Sequence, residues 1–101
     1  MHKIIKNNLS SLSNLCRKYN VKTMHIFGSV CTDYFSDNSD IDILISFNEL
    51  SIEEYTDNYF NLHYELEKLF DRKIDLLTER SIKNPYLLEG INKTRELIYA
   101  A

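Results

Sequence analysis

Apolar residues recur along this chain in two rhythms. Ile5, Leu9, Leu12, Cys16 and Tyr19 are spaced 4, 3, 4 and 3 apart, a single stripe on a helix over residues 3–19. Asn20 suits the end of that helix, since asparagine tolerates left-handed backbone. The stripe Ile52, Tyr55, Tyr59, Leu62, Leu66 and Leu69 predicts a second helix. The run Ser51-Ile-Glu-Glu54 opens it as a capping box, in which Ser51 and Glu54 satisfy each other's backbone N–H. Acids fill its first turn, and Lys68, Arg72 and Lys73 gather at its end, where the helix dipole favours cations. The other rhythm is that of strands. "VKTMHIF" (21–27) is short and rich in β-formers. "DIDILISF" (40–47) alternates before turning fully apolar, a strand entering a core. "KIDLLT" (73–78) predicts a third strand.

Between these elements the punctuation is specific. Gly28 ends the first strand, where a side-chained residue turns less easily. "SVCTDYF" predicts a short helix opening at Ser29, and "SDNSD" (36–40) reads as a loop because its side chains hydrogen-bond their own backbone. Asn84-Pro85 resembles an N-cap followed by proline at the first helical position. Gly90 weakens that helix by about 1 kcal/mol relative to alanine. "RELIYAA" reads equally as a final strand or a docking tail. The order of elements predicts an α/β (α+β) arrangement, a small sheet flanked by helices.

The chain has 101 residues, the size of one domain spanning 1–101. Its net charge of −3 argues against nucleic acid as a partner, because backbone binding calls for a basic face. The short clusters "CRKYNVK", "DRKI" and "ERSIK" read as solvated surface. No apolar run approaches the roughly 20 residues of a membrane span, and the first residues do not read as a signal peptide. The two cysteines, Cys16 and Cys31, form no CxxC; reduced thiols and a cytoplasmic location are expected. Cys16 belongs to the apolar stripe. Of the seven tyrosines, most are expected in the core or its rim, with some left to cover a partner.

The candidate chemistry is acidic. Side chains two apart on a strand face the same way, about 6.5–7 Å apart, so Asp40 and Asp42 can converge on one cation or on two adjacent ones. Asp75, between Ile74 and Leu76, offers a third carboxylate if the third strand pairs beside the second. Three such anions repel, and at least one pKa must rise, unless a cation lies among them. Mg2+ answers this, since it takes oxygen ligands and keeps positions open for phosphate oxygens. Gly28-Ser29 adds a close backbone approach, a hydroxyl donor and the N–H groups of the predicted helix start, which can hold an anion. His25 reads as a satisfied strand histidine, and neither His2 nor His63 has ligand spacing.

Gly28-Ser29, ten residues, then Asp40-x-Asp42 resembles the signature of the polymerase-β-like nucleotidyltransferase superfamily. Asp75 falls where that superfamily carries its third carboxylate, and the likeness spans nearly the whole chain. At this length it is similar to the minimal nucleotidyltransferases. The resemblance implies a palm-like mixed sheet. It implies two Mg2+ ions on Asp40, Asp42 and Asp75, with Asp75 also helping to deprotonate the attacking hydroxyl. Gly28 and Ser29 would hold the β- and γ-phosphates of ATP, and AMP would pass to an acceptor. It implies a small helical HEPN-type toxin as partner, with one of its tyrosines as acceptor and this chain as antitoxin. A homo-oligomer stays open. The chain departs from the family's usual Gly-Ser-x-Ala-Arg-Gly at Val30, Cys31, Thr32 and Asp33, losing a cation at 32 and gaining an anion at 33. That departure keeps a second expectation in play, an antitoxin that neutralises by contact alone. A third is transfer to a small molecule or RNA with help from a partner subunit.

Overall fold

The computed structural model describes residues 1–101. Four strands form one sheet in the order β3-β2-β1-β4: β1 is Val21–Phe27, β2 Ile41–Phe47, β3 Ile74–Thr78 and β4 Glu96–Ala100. Strand β1 runs antiparallel to β2 and β4, whereas β2 and β3 are parallel. A parallel pair cannot be joined by a tight turn, and helix α3 (Ile52–Phe70) makes the crossover. The result is the expected mixed sheet with helices.

Strand alternation assigns the two faces. On one, Ile41, Ile43 and Ile45 of β2 and Ile74 and Leu76 of β3 meet the helices. Packed on them are Ile5 of α1 (Lys3–Lys6), Leu12 and Cys16 of α2 (Leu9–Lys18), and Leu62, Leu66 and Phe70 of α3. Each fully buried aliphatic side chain contributes roughly 1.5–3 kcal/mol. The other face carries a smaller cluster, where Ile91 of α4 (Pro85–Thr94) packs on Phe27 and Leu44. Asp42 and Asp75 alternate with the core isoleucines, so they share this second face.

Several elements differ from their sequence reading. The first helix is broken at Asn7-Asn8. The Asn8 side-chain amide donates to Ile4 O at 2.7 Å, and the Asn8 N–H turns to Ile5 O. An asparagine that competes with the helix for its own carbonyls ends it, and His2 Nδ1 caps the Ile4 N–H at the start of α1. The segment after Gly28 is a single 3-10 turn, Gly28–Cys31, rather than a helix. The Thr32 hydroxyl and N–H both donate to Ser29 O and close it. Ile52, part of the predicted apolar stripe, is 86% exposed. Tyr34, Tyr64 and Tyr86 are exposed as well. Arg72 and Lys73 do not serve the end of α3, which closes at Asp71 in the left-handed region with φ 49°. Arg72 instead donates to Ser36 O and Ser39 O and lies over the Phe35 ring. "RELIYAA" resolves into strand β4. No helix is long and apolar enough to cross a membrane.

Helix α3 also closes one edge of the sheet. Tyr59 Oη donates to Leu76 O at 2.6 Å, His63 Nε2 meets Ile74 O at 2.8 Å, and Glu67 Oε2 accepts from Ile74 N–H at 3.2 Å. These residues are four apart, hence on one helix face. They satisfy backbone groups that an edge strand would leave open to pairing.

Gly90 lies within α4 without interrupting it, and a Cβ there would meet nothing within 4 Å. Gly90→Ala should therefore stabilise the chain by about 0.5–1 kcal/mol. A rise of several degrees in the calorimetric midpoint is the expected readout; an unchanged midpoint would show that α4 is not helical through this position in solution.

Candidate active site

Register brings the acids together. Asp42 of β2 is the direct neighbour of Asp75 on β3, and on its other side it pairs with Phe27, the last residue of β1. Gly28 follows at once, in the left-handed region with φ 72°. A Cβ on Gly28 would overlap Asp42 Oδ2 and stand 3.3 Å from its Cγ. Glycine is thus required twice here, by backbone conformation and by the carboxylate lying against it.

Asp42 carries the electrostatic signature of the site. Its pKa is pushed up from an ordinary 3.8 to about 6, first by burial, then by hydrogen bonding with Asp75, then by the charges of Asp75 and Asp40. Two carboxylates can bond to each other only when one holds a proton, and the raised Asp42 is the one that keeps it. Asp40 stands one residue before β2, and its Oδ2 lies 3.8 Å from Lys73 Nζ. Asp42 and Asp75 are therefore juxtaposed, while Asp40 is turned to a lysine. No three His, Cys, Asp or Glu side chains are gathered into a ready metal cage. The donor set still fits a hard divalent cation: two facing carboxylates with no cation between them, and a third one step along the strand.

The phosphate-gripping half departs from expectation. A 3-10 turn of four residues does not provide the aligned N-terminus of a helix. The Gly28 N–H is already engaged, donating to Thr94 Oγ1 at 2.9 Å. Ser29 is half-buried beside it, so its hydroxyl and the close backbone approach remain as the possible grip. Thr94 was invisible as a site residue in the sequence, because it reaches Gly28 across 66 positions. Val30 is core. Burial, then Glu96, pushes the Cys31 thiol up to about 11, which disfavours the thiolate. Burial, then the Arg95 guanidinium, lowers the pKa of His25, while Glu79, bound to Arg95 at 2.7 Å, pulls it the other way.

A cleft of about 430 Å3 opens over the dyad, lined by Phe27, Asp42, Tyr59, Lys73, Asp75 and Leu87 among others. A second hollow of about 350 Å3 lies at the far ends of β2 and β3. There Arg80 is laid over the Tyr55 ring and Glu79 is held by Arg95, and no pair of facing carboxylates lines it. The chemistry points to the first cleft.

Two outcomes follow from this geometry. Between pH 3.8 and about 6 the folded chain keeps a proton on Asp42 that the unfolded chain has released. The stability this lends is full below the lower value and is lost as pH rises through the upper one. Asp42→Asn should accordingly raise the metal-free stability at pH 7.5 by about 1 kcal/mol after allowance for solvent screening, read as a higher melting midpoint, and hardly alter it at pH 4. Equal effects at both pH values would contradict the dyad. Thr94→Val should expose the Gly28 amide to hydrogen exchange by about tenfold, for the loss of one hydrogen bond, and Thr94→Ser should not.

Comparison with known proteins shows the family. Residues 10–101 match the family model described as polymerase beta, nucleotidyltransferase. A Methanocaldococcus jannaschii protein, provisionally named a protein adenylyltransferase, is 39% identical over 82 residues, covering 81% of this chain and 79% of its own length. The protein adenylyltransferase MntA of Thermococcus cleftensis is 32% identical over 94 residues, 84% of this chain and 80% of that one. Among solved structures, one described as a minimal nucleotidyltransferase superposes with a TM-score of 0.76 at 24% identity, covering 95% of both chains. A Shewanella oneidensis complex, described as a tri-AMPylated HEPN toxin with an MNT antitoxin, gives 0.66 at 19% identity over 95% of this chain and 72% of that one. With the dyad in register, the glycine against it, and these matches running through nearly the whole chain, this protein belongs to the polymerase beta nucleotidyltransferase family.

Proposed function

We propose that residues 1–101 act as one minimal domain that transfers AMP from ATP to a tyrosine hydroxyl of a HEPN-type toxin, and so serve as its antitoxin. The single observation that supports this most is the Asp42–Asp75 pair in parallel register against Gly28. In the reaction, the acceptor oxygen forms a bond to the α-phosphorus, the bond from that phosphorus to the bridging oxygen breaks, and pyrophosphate leaves. The acceptor's proton passes to Asp75. Asp40, Asp42 and Asp75 would hold Mg2+, which when bound neutralises phosphate charge and polarises the reacting oxygens. Gly28 admits the phosphates closely, and Ser29 offers its hydroxyl to them. Tyrosine and the HEPN partner enter by analogy with the Shewanella complex, whose toxin is described as AMPylated. The adenylyltransferase names of the relatives support the same transfer.

One observation favours a second reading, neutralisation by contact alone. The stretch Val30-Cys31-Thr32-Asp33 supplies no cation beside the phosphate turn and adds an exposed carboxylate at Asp33. The double substitution Asp40→Asn with Asp42→Asn separates the two readings. Incubated with labelled ATP, Mg2+ and a HEPN-type toxin encoded by a neighbouring gene, should one be found, the wild-type chain should label that protein. The double variant should lose roughly a thousandfold in rate, the several kcal/mol expected when metal ligands are removed. Toxin neutralisation in cells that survives the double substitution would replace catalysis with contact.

A further inference from the structure

The cleft above the dyad has a charge problem that one residue can answer. Its ionisable lining is Asp42, Asp75, Glu67, His63 and Tyr59, with Lys73 as its permanent cation; His63 and Tyr59 are already bonded to the β3 backbone. A nucleoside triphosphate is a polyanion, and the turn Gly28–Cys31 offers it no positive side chain. The neighbouring Arg72 is committed elsewhere, bonded to Ser36 O and Ser39 O and stacked on Phe35.

Lys73 is placed at the right level of the sheet. Ile41 pairs with Ile74, so Asp40 and Lys73, each one residue earlier, stand side by side. Phe27 pairs with Asp42, so Gly28 belongs to the same end. With strands about 4.8 Å apart, Lys73 and Gly28 flank β2 roughly 10 Å from one another, a gap that a phosphate and a lysine side chain can span. Lys73 also shares strand parity with Asp75, and hence its face. Its Nζ rests 3.8 Å from Asp40 Oδ2 with 69% of the side chain exposed. So long and exposed an ion pair is weak, on the order of 0–1 kcal/mol, and gives way readily to a better anion.

We propose that Lys73 is a specificity-determining residue that reads the triphosphate: its ammonium leaves Asp40 for a β- or γ-phosphate oxygen when the nucleotide binds. This deepens the proposed function and rests on it. The exchange frees the Asp40 carboxylate at the moment the nucleotide arrives, so one lysine serves both as counter-ion of the empty site and as phosphate ligand of the filled one. A lysine suits this better than an arginine locked in a fork, because its point charge moves on a flexible stem.

The test is calorimetric titration of the full chain with a non-hydrolysable ATP analogue and Mg2+. Lys73→Met keeps the length of the stem without its charge and should weaken binding about tenfold, the loss of one charge-assisted contact. Lys73→Arg should restore most of the affinity. Lys22→Met, at the far end of β1 and exposed, should leave it unchanged, which separates direct contact from a general field. Lys73→Met binding as tightly as wild type, Lys73→Arg binding as weakly as Lys73→Met, or Lys22→Met costing as much, would overturn the assignment. A wild-type chain that does not bind the analogue would instead defeat the proposed function, and this inference with it.

Discussion

The Asp42–Asp75 contact is the constraint around which the rest of the molecule is arranged. Two carboxylates on adjacent strands repel unless one keeps a proton or a cation stands between them. A purely structural protein would place threonine or valine in such a register. Here the like charges are held together by a parallel β2–β3 pair whose opposite face is packed with isoleucine and leucine. Any slip of one residue would turn Ile43 and Leu76 to solvent and the acids into the core. The hydrophobic register thus enforces an unfavourable electrostatic one. The unfavourable part is confined to a group that burial pushes up to about 6, within reach of proton exchange at neutral pH.

Helix α3 explains how that parallel pair is kept. Its apolar residues Leu62, Leu66 and Phe70 bury against the sheet, and an adjoining face of Tyr59, His63 and Glu67 satisfies the outer edge of β3. The strand that bears Asp75 is an edge strand, so without these side chains its backbone would be open to pairing with another chain or to fraying. The crossover helix therefore connects β2 to β3 and also anchors β3. Opposite, α4 approaches the same point from the other side of the sheet. Ile91 packs on Phe27, and Thr94 takes the Gly28 N–H. The dyad is gripped from two directions by elements distant in sequence.

Cations are distributed economically around this centre. Arg72, Lys73 and Arg95 lie near its borders, and each has a distinct task. Arg72 ties down the loop that leads to Asp40, Arg95 at the end of α4 pairs with Glu79 beside His25, and Lys73 alone makes only a long contact with an acid. A mobile cation next to a fixed cluster of carboxylates is the arrangement that recognition of a phosphorylated ligand calls for.

The local alphabet of the chain was enough to determine the first three strands, the capped helix α3 and the candidate acids. Period-two and period-3.6 patterns depend only on neighbours in sequence, and so do the Ser51 capping box and the Asn84-Pro85 start. The likelihood of a site at Gly28-Ser29 and Asp40-x-Asp42 was equally legible, since both motifs lie within 15 consecutive residues. What tertiary structure alone decided involves partners far apart along the chain. The fate of "RELIYAA" depended on an edge of β1 being free to receive it. The end of the turn after Gly28 depended on Thr94, and the use of Lys73 depended on Asp40 arriving beside it. The break at Asn8 is the exception, a local competition between side chain and backbone that periodicity cannot register because the apolar stripe continues across it. Strand register and long-range hydrogen bonds leave no periodic trace, and they are what set Asp42, Asp75 and Gly28 against one another.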